Sequence, residues 1–263
     1  MSTSSSPITV PALARKKSRG EKITMLTAYD YPTALLVDRA GVDVVLVGDS
    51  LVMEELGYDS TVPGTMEMML HHIKAVRRGV AHALVAGDLP FLSYQVNADE
   101  AVRNAGRLLQ EGGANAVKLE GGVAIAPTIR RVVDAGIPVI GHIGFTPQSV
   151  NQIGLQKQGK DAQGAEQVMQ DARAVQEAGA FAIVLELIPD DLAARVTEEL
   201  EIITIGIGAG PRCDGQVLVT SDLLGMRPER AAFKHVRQYA QIGAEIERAL
   251  SAYREDVEAG RFP

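Results

Sequence analysis

The chain has 263 residues, 46% of them hydrophobic, which is enough for one large core and is the usual length of a single eight-fold β/α barrel. Its net charge is −7 and no Lys/Arg-dense stretch follows the first 22 residues, so nucleic acid is not an expected partner, and an anionic substrate must be held by local cations or a metal. With Cys213 as the single cysteine, no intrachain disulfide can form; with no secretory segment and no membrane-length apolar run, the chain reads as a soluble cytoplasmic protein without a membrane partner.

In chain order, residues 1–8 are Ser-rich and read as a disordered tail, leaving 9–263 as one barrel domain. The segment Val10–Lys17 predicts a short helix, followed by a basic turn through Gly20. Strand-like runs then recur at Ile23–Leu26, Val42–Val47, Ala83–Ala86, Ala116–Leu119, Ile137–Ile140, Phe181–Leu185, Ile202–Ile207 and Gln216–Val219. Amphipathic helical stretches separate most of them: Tyr31–Ala40, Thr65–Arg78, Ala98–Glu111, Val123–Ala135, Gln163–Ala178 and Asp190–Glu199. A long Ala-rich helix is predicted over 231–257. Gly41, Gly79, Gly112, Gly136 and Gly179 stand where left-handed helix caps belong. Strand alternating with helix implies parallel strands joined by right-handed crossovers, and eight strands favour a closed (β/α)8 TIM barrel over an open sheet.

Five of the apolar runs stop on residues that can do chemistry: Asp49-Ser50, Asp88, Lys118 with Glu120, His142 and Glu186. In a parallel barrel all strand C-termini lie at one rim, so these distant residues are expected to meet in one cup. Strand alternation puts Lys118 and Glu120 on one side, and likewise Val47 and Asp49. Asp49, Asp88 and Glu120 are hard oxygen donors, which favour Mg2+ or Mn2+ over Zn2+. The competing reading is three carboxylates neutralised by Lys118 and nearby arginines. Lys118 reads either as a permanent cation or as a Schiff-base lysine, and neighbouring carboxylates favour the first. His142 is either a hydrogen-bond or acid-base group for a substrate oxygen or a packing residue. Glu186 is either a general base or a strand-end glutamate paired with an arginine. Gly206–Gly210 reads mainly as a tight turn, and Cys213 as a bystander.

The chain resembles the ketopantoate hydroxymethyltransferase family from about Val10 onward. The likeness is carried by Thr-Ala-Tyr-Asp at 27–30, Val-Gly-Asp-Ser-Leu at 47–51, Gly-Tyr-Asp-Ser-Thr at 57–61 and His-His-Ile-Lys-Ala-Val-Arg-Arg-Gly at 71–79. It continues in Asp-Leu-Pro-Phe at 88–91, Val-Lys-Leu-Glu-Gly-Gly at 117–122, Gly-His-Ile-Gly-Phe-Thr-Pro-Gln-Ser-Val at 141–150 and Gly-Ile-Gly-Ala-Gly at 206–210. The resemblance implies a barrel of the phosphoenolpyruvate/pyruvate type, with Asp49, Asp88 and Glu120 around Mg2+. It implies that Asp49, Ser50, Asp88, Lys118 and His142 bind an α-keto acid, and that Glu186 is the catalytic base. The implied reaction moves a hydroxymethyl group from 5,10-methylenetetrahydrofolate to 3-methyl-2-oxobutanoate, in a homo-oligomer that is commonly decameric. Val52-Met53-Glu54-Glu55 departs from the family pattern, which has glycine and then apolar residues there. Gly154–Gly159, a candidate lid, is one residue shorter than usual and lacks its aromatic. Another metal-dependent keto-acid C–C lyase, a metal-free aldolase working through Lys118 and a non-catalytic keto-acid binder are the alternatives.

Overall fold

The structure is a computed structural model that describes residues 6–227 and 236–263. Eight strands form a closed barrel in sequence order: β1 Ile23–Thr27, β2 Val44–Val47, β3 Leu84–Asp88, β4 Ala116–Glu120, β5 Val139–Gly144, β6 Ala182–Glu186, β7 Ile203–Ile207 and β8 Gly215–Leu218. Neighbouring strands pair in parallel, for example Asp88 with Lys118, Glu120 with His142 and Gly144 with Glu186. The helices are α1 Val10–Ser18, α2 Tyr31–Arg39, α3 Leu51–Glu54, α4 Met66–Gly79, α5 Ala98–Gln110, α6 Ala126–Asp134, α7 Val150–Ile153, α8 Ala162–Glu177, α9 Asp190–Glu199, α10 Thr220–Leu224 and α11 Ile242–Glu258. Among the described residues no helix is long and apolar enough to cross a membrane.

Local chemistry explains where the helices begin. Asp30, Thr65, Asn97 and Asp161 each accept a backbone N–H from three residues on, satisfying donors that the first helical turn leaves free. Gly41, Gly136 and Gly179 take positive φ, as a left-handed cap requires. Gly79 and Gly112 do not. They are small because a Cβ on Gly79 would lie 2.7 Å from the Tyr31 carbonyl, and one on Gly112 would lie 2.5 Å from that of Leu108.

Apolar side chains divide into two cores. One lies between strands and helices and includes Val45, Val85, Leu119 and Ile183. The other fills the barrel with Met25, Val44, Leu84, Ala116, Ile140, Ala182 and Ile203. Helix α1 adds Leu13 to this inner core. Lys16 pairs with Asp43 at 2.7 Å and Lys17 with Asp214 at 2.9 Å. Lys17 also donates to the carbonyls of Leu200 and Ile202. Asp43, Ile202 and Asp214 all precede strands, so α1 closes the N-terminal mouth of the barrel.

The chain divides into two compact units, one ending at Val217 and one running from Leu218 to Pro263. In the second, Gly225 adopts the left-handed conformation, and its carbonyl accepts the Gly243 N–H at 3.1 Å. The long helix expected over 231–257 begins only at Ile242 and ends at Glu258; residues 231–235 of that expectation, and 1–5 of the expected tail, lie outside the described residues. Ile8, also in that tail, donates its N–H to the His82 carbonyl at 2.7 Å.

Asp38 on α2 ties the helix layer to the entry of β3. Its carboxylate accepts the N–H groups of Ala81, His82 and Ala83 at 2.8–3.0 Å. Burial alone would raise its pKa, but these three donors outweigh it and hold the carboxyl below the usual aspartate value. Asp38→Ala leaves the donors unpaired and should cost roughly 3 kcal/mol, measured by urea denaturation at pH 7. Because the folded pKa is the lower one, this contribution is present above the unfolded pKa and disappears as pH falls through the folded value. The gap between wild type and variant should therefore close in acid.

Candidate active site

The pleat builds the site. The inward face of β3 reads Leu84, Ala86, Asp88; that of β4 reads Ala116, Lys118, Glu120; β5 gives Ile140, His142; and β6 gives Ala182, Val184, Glu186. Each column is apolar in mid-barrel and turns ionisable at its C-terminal end. All seven expected residues gather at that end. Asp49 arrives differently from the expected alternation. Val47 belongs to the outer core, and the backbone turns after it, with Leu51 N–H donating to the Gly48 carbonyl. That turn, and not the strand pleat, brings Asp49 inward, where its N–H donates to Asp88 Oδ2 at 3.0 Å.

Asp49, Asp88, Lys118, Glu120 and His142 are all at most 5% exposed. Lys118 Nζ lies 3.0 Å from Asp88 Oδ2. His142 Nδ1 lies 3.4 Å from Glu120 Oε1, and its Nε2 lies 3.0 Å from Glu186 Oε2, although that contact is not aligned as a hydrogen bond. Ser50 Oγ shares a 2.8 Å hydrogen bond with the buried Tyr29 hydroxyl. Gly144 takes φ 90°, and a Cβ there would strike the Glu186 carbonyl, so β5 passes β6 closely beside Glu186.

Charge sets the protonation states. Burial pushes the Lys118 ammonium toward neutrality, but Asp88, Glu120 and Asp49 outweigh it and raise its pKa. A lysine held charged is a cation for an anionic ligand and a poor Schiff-base nucleophile. Burial and Lys118 both push His142 down, yet the close carboxylates of Glu120 and Glu186 carry it up to about 9. Lys118 Nζ also approaches His142 Nδ1 to 3.3 Å, within hydrogen-bond reach. Burial first, then Glu120 and Asp88, push Asp49 up to about 8. Asp49, Asp88 and Glu120 thus repel one another in a buried site, and a divalent cation among them would relieve that repulsion.

The donor set fits such an ion. Asp88 Oδ1 and Glu120 Oε1 are buried and accept no hydrogen bond. Hard oxygens of this kind suit Mg2+ or Mn2+. Among the described residues, no group of three or more His, Cys, Asp or Glu side chains is arranged as it stands to hold a metal ion. Mg2+ does not need a complete protein cage, because it keeps several waters and binds few carboxylates.

Two residues central to this geometry were not singled out from the sequence. Gln148 lies inside the Phe-Thr-Pro-Gln-Ser motif and bonds Asp49, Glu120 and the Leu89 carbonyl. Tyr94, 1% exposed, accepts the Glu120 N–H at 3.1 Å and donates to Gln148 Oε1 at 2.8 Å. Only the proximity of Gln148 to His142 in one Gly/Pro-punctuated motif hinted at the first; nothing in the local pattern marks Tyr94. Val52 is helical, buried and has no positive φ, so replacing the family's glycine imposes no backbone strain. The Gly154–Gly159 segment is joined to the strand holding Glu186 through Gln158 N–H, which donates to the Leu187 carbonyl at 2.9 Å. Cys213 is buried beside Gly206, as a bystander would be.

A family model described as ketopantoate hydroxymethyltransferase matches residues 7–263. The chain is 58% identical over 259 residues to a 3-methyl-2-oxobutanoate hydroxymethyltransferase of Moorella thermoacetica, covering 98% of this chain and 96% of the relative. It is 57% identical over 256 residues to the protein of the same name from Chloroflexus aurantiacus, covering 97% and 90%. Among solved structures it is similar in fold to a phosphonopyruvate hydrolase in complex with oxalate and Mg2+, with a TM-score of 0.60, 15% identity and coverage of 96% and 86%. It is likewise similar to a phosphoenolpyruvate phosphomutase of Streptomyces platensis subsp. rosaceus, at TM-score 0.62, 16% identity and coverage of 94% and 88%.

Lys118→Met would leave buried carboxylates facing one another without their main counter-charge. We expect a loss of about 3–5 kcal/mol at pH 7, read by urea denaturation. The deficit should shrink as pH falls, since the unpaired carboxyls then take up protons in the folded state.

Proposed function

The chain belongs to the ketopantoate hydroxymethyltransferase family, and we propose that its barrel mouth transfers a hydroxymethyl group from 5,10-methylenetetrahydrofolate to 3-methyl-2-oxobutanoate, giving 2-dehydropantoate for pantothenate biosynthesis. The observation that carries this reading is the convergence of three buried carboxylates, Lys118, His142 and Glu186 at the C-terminal ends of β2 to β6. Such a set suits an α-keto acid that must be held by its anionic end and deprotonated next to its carbonyl.

Asp49, Asp88 and Glu120 would hold Mg2+ or Mn2+. When bound, that ion would supply Lewis acidity, polarising the keto oxygen and offsetting charge that develops on it. Lys118 and His142 hold the anionic substrate by charge, and Ser50, itself positioned by Tyr29, adds a hydroxyl contact. Glu186 is less buried than the other carboxylates, with 17% of its side chain exposed, and stands at the opening of the cup. It takes the C3 proton, directly or through a water that it orders. His142 Nε2 lies 3.0 Å from the Glu186 carboxylate, near enough to orient it. The resulting enolate carbon attacks the methylene carbon of the folate as one of its two carbon–nitrogen bonds breaks; water displaces the second nitrogen and supplies the hydroxyl group of the product, and the two folate nitrogens take up the protons released from C3 and from that water. Lys118 stays an ammonium throughout.

The protein is assigned to the cytoplasm, a placement supported by its one free, buried cysteine, Cys213. Assembly as a homo-oligomer is part of the same reading. Ile246, Leu250, Tyr253 and Val257 recur at helical spacing on α11 and are all exposed, an apolar stripe of the kind that subunit contacts cover.

Exchange of the C3 proton of 3-methyl-2-oxobutanoate in D2O, followed by NMR, isolates the first step from folate use. Wild type should catalyse it with Mg2+ and lose it to EDTA. Glu186→Gln should slow both exchange and turnover by roughly 10²- to 10⁴-fold while still binding keto acid. Unchanged exchange in that variant would remove Glu186 from its role. Treatment with keto acid and borohydride should leave Lys118 without an adduct; an adduct there would favour the metal-free aldolase.

A further inference from the structure

Gln148 is 4% exposed, and its backbone N–H and both polar side-chain atoms are engaged. Its backbone N–H donates to Glu120 Oε2 at 3.0 Å. Its Nε2 donates to Asp49 Oδ2 and to the Leu89 carbonyl, both at 2.9 Å. Its Oε1 accepts the Tyr94 hydroxyl at 2.8 Å and Gln95 Nε2 at 3.1 Å. The orientation of the amide follows from its partners: the Leu89 carbonyl can only accept, so Nε2 must face it.

We propose that Gln148, held by Tyr94, is the positioning residue that presets Asp49 and Glu120 for a divalent cation. This rests on the reading that those carboxylates hold one. Gln148 occupies one oxygen of each carboxylate. In Glu120 the other oxygen, Oε1, is left buried with no hydrogen bond. A carboxylate pinned through one oxygen offers the second in a fixed direction, so little side-chain freedom is lost when an ion binds. The amide does this without changing the charge of the site. Lysine or arginine at 148 would compete with the cation, and glutamate would repel Asp49 and present no donor to the Leu89 carbonyl. Pro147 begins the short 3-10 turn Pro147–Ser149 that presents the Gln148 N–H to Glu120.

The test is Mn2+ binding by isothermal titration calorimetry at pH 7.5, on wild type, Asp88→Ala, Gln148→Glu, Tyr94→Phe and the Gln148→Glu/Tyr94→Phe double variant, with thermal melts alongside. Gln148→Glu should weaken Mn2+ roughly 10- to 100-fold. Tyr94→Phe, which removes one oxygen atom, should weaken it in the same direction by less. Tyr94 bonds both Gln148 and the Glu120 backbone, so the loss in the double variant should be smaller than the sum of the two single losses. At saturating Mn2+ both single variants should regain most of kcat while the KM for keto acid stays raised. Wild-type Mn2+ affinity in Gln148→Glu and Tyr94→Phe, even with lowered melting temperatures, would overturn the proposal and leave a structural role. If Gln148→Glu does not fold, Tyr94→Phe alone decides between the same two outcomes. Wild type that takes up no Mn2+, or takes it up as well as Asp88→Ala does, would overturn the cation reading itself, and this proposal with it.

Discussion

Burying several carboxylates in one barrel mouth is costly, and the salt bridge between Lys118 and Asp88 is the interaction that makes it tolerable. Lys118 lies among Asp88, Glu120 and Asp49, and its pKa rises because all three act on it. Around this pair the remaining charges are arranged in order: His142 between Glu120 and Glu186, Gln148 between Asp49 and Glu120. Removing the lysine would change the protonation of the whole group. The ammonium is thus part of the scaffold of the site.

The opposite end of the barrel has the reverse character. There Lys16 and Lys17 of α1 pair with Asp43 and Asp214, and Leu13 completes the apolar fill. These ion pairs are joined by bonds from Thr24 to Asp43 and from Thr204 to Asp214, so both carboxylates are tied into the strand starts. One end of the strands is therefore closed by complementary charge, and the other retains an excess of negative charge. This division matches the general separation, in such barrels, of stability at the N-terminal face from chemistry at the C-terminal face.

Most of the architecture could be read from the sequence because period and punctuation agree. The six barrel helices and eight strands fall within a few residues of the apolar runs and their caps. The strand-end argument also located Asp88, Lys118, Glu120, His142 and Glu186 at one rim. It reached Asp49 for the wrong reason, since alternation would have sent it outward with Val47; a tight turn reverses it. Gln148 and Tyr94 were not legible. Their importance comes from hydrogen bonds to residues 99 and 26 positions away, a relation that no local window contains. The start of α11 also differs, because the Ala-rich composition that predicts a helix over 231–257 does not distinguish residues 236–241, which are not helical, from those beginning at Ile242.

The two-residue pleat that raises each charged group from an apolar column also limits how the site can vary. Removing or adding one residue inside β4 would turn Lys118 and Glu120 out into the helix layer and bring Val117 and Leu119 to the centre. The register of these strands thus works like a reading frame: point replacements at the rim can retune the chemistry, while a frame slip abolishes it. Only the connecting loops can change length without such a slip, and the Gly154–Gly159 stretch lies in one, beyond β5.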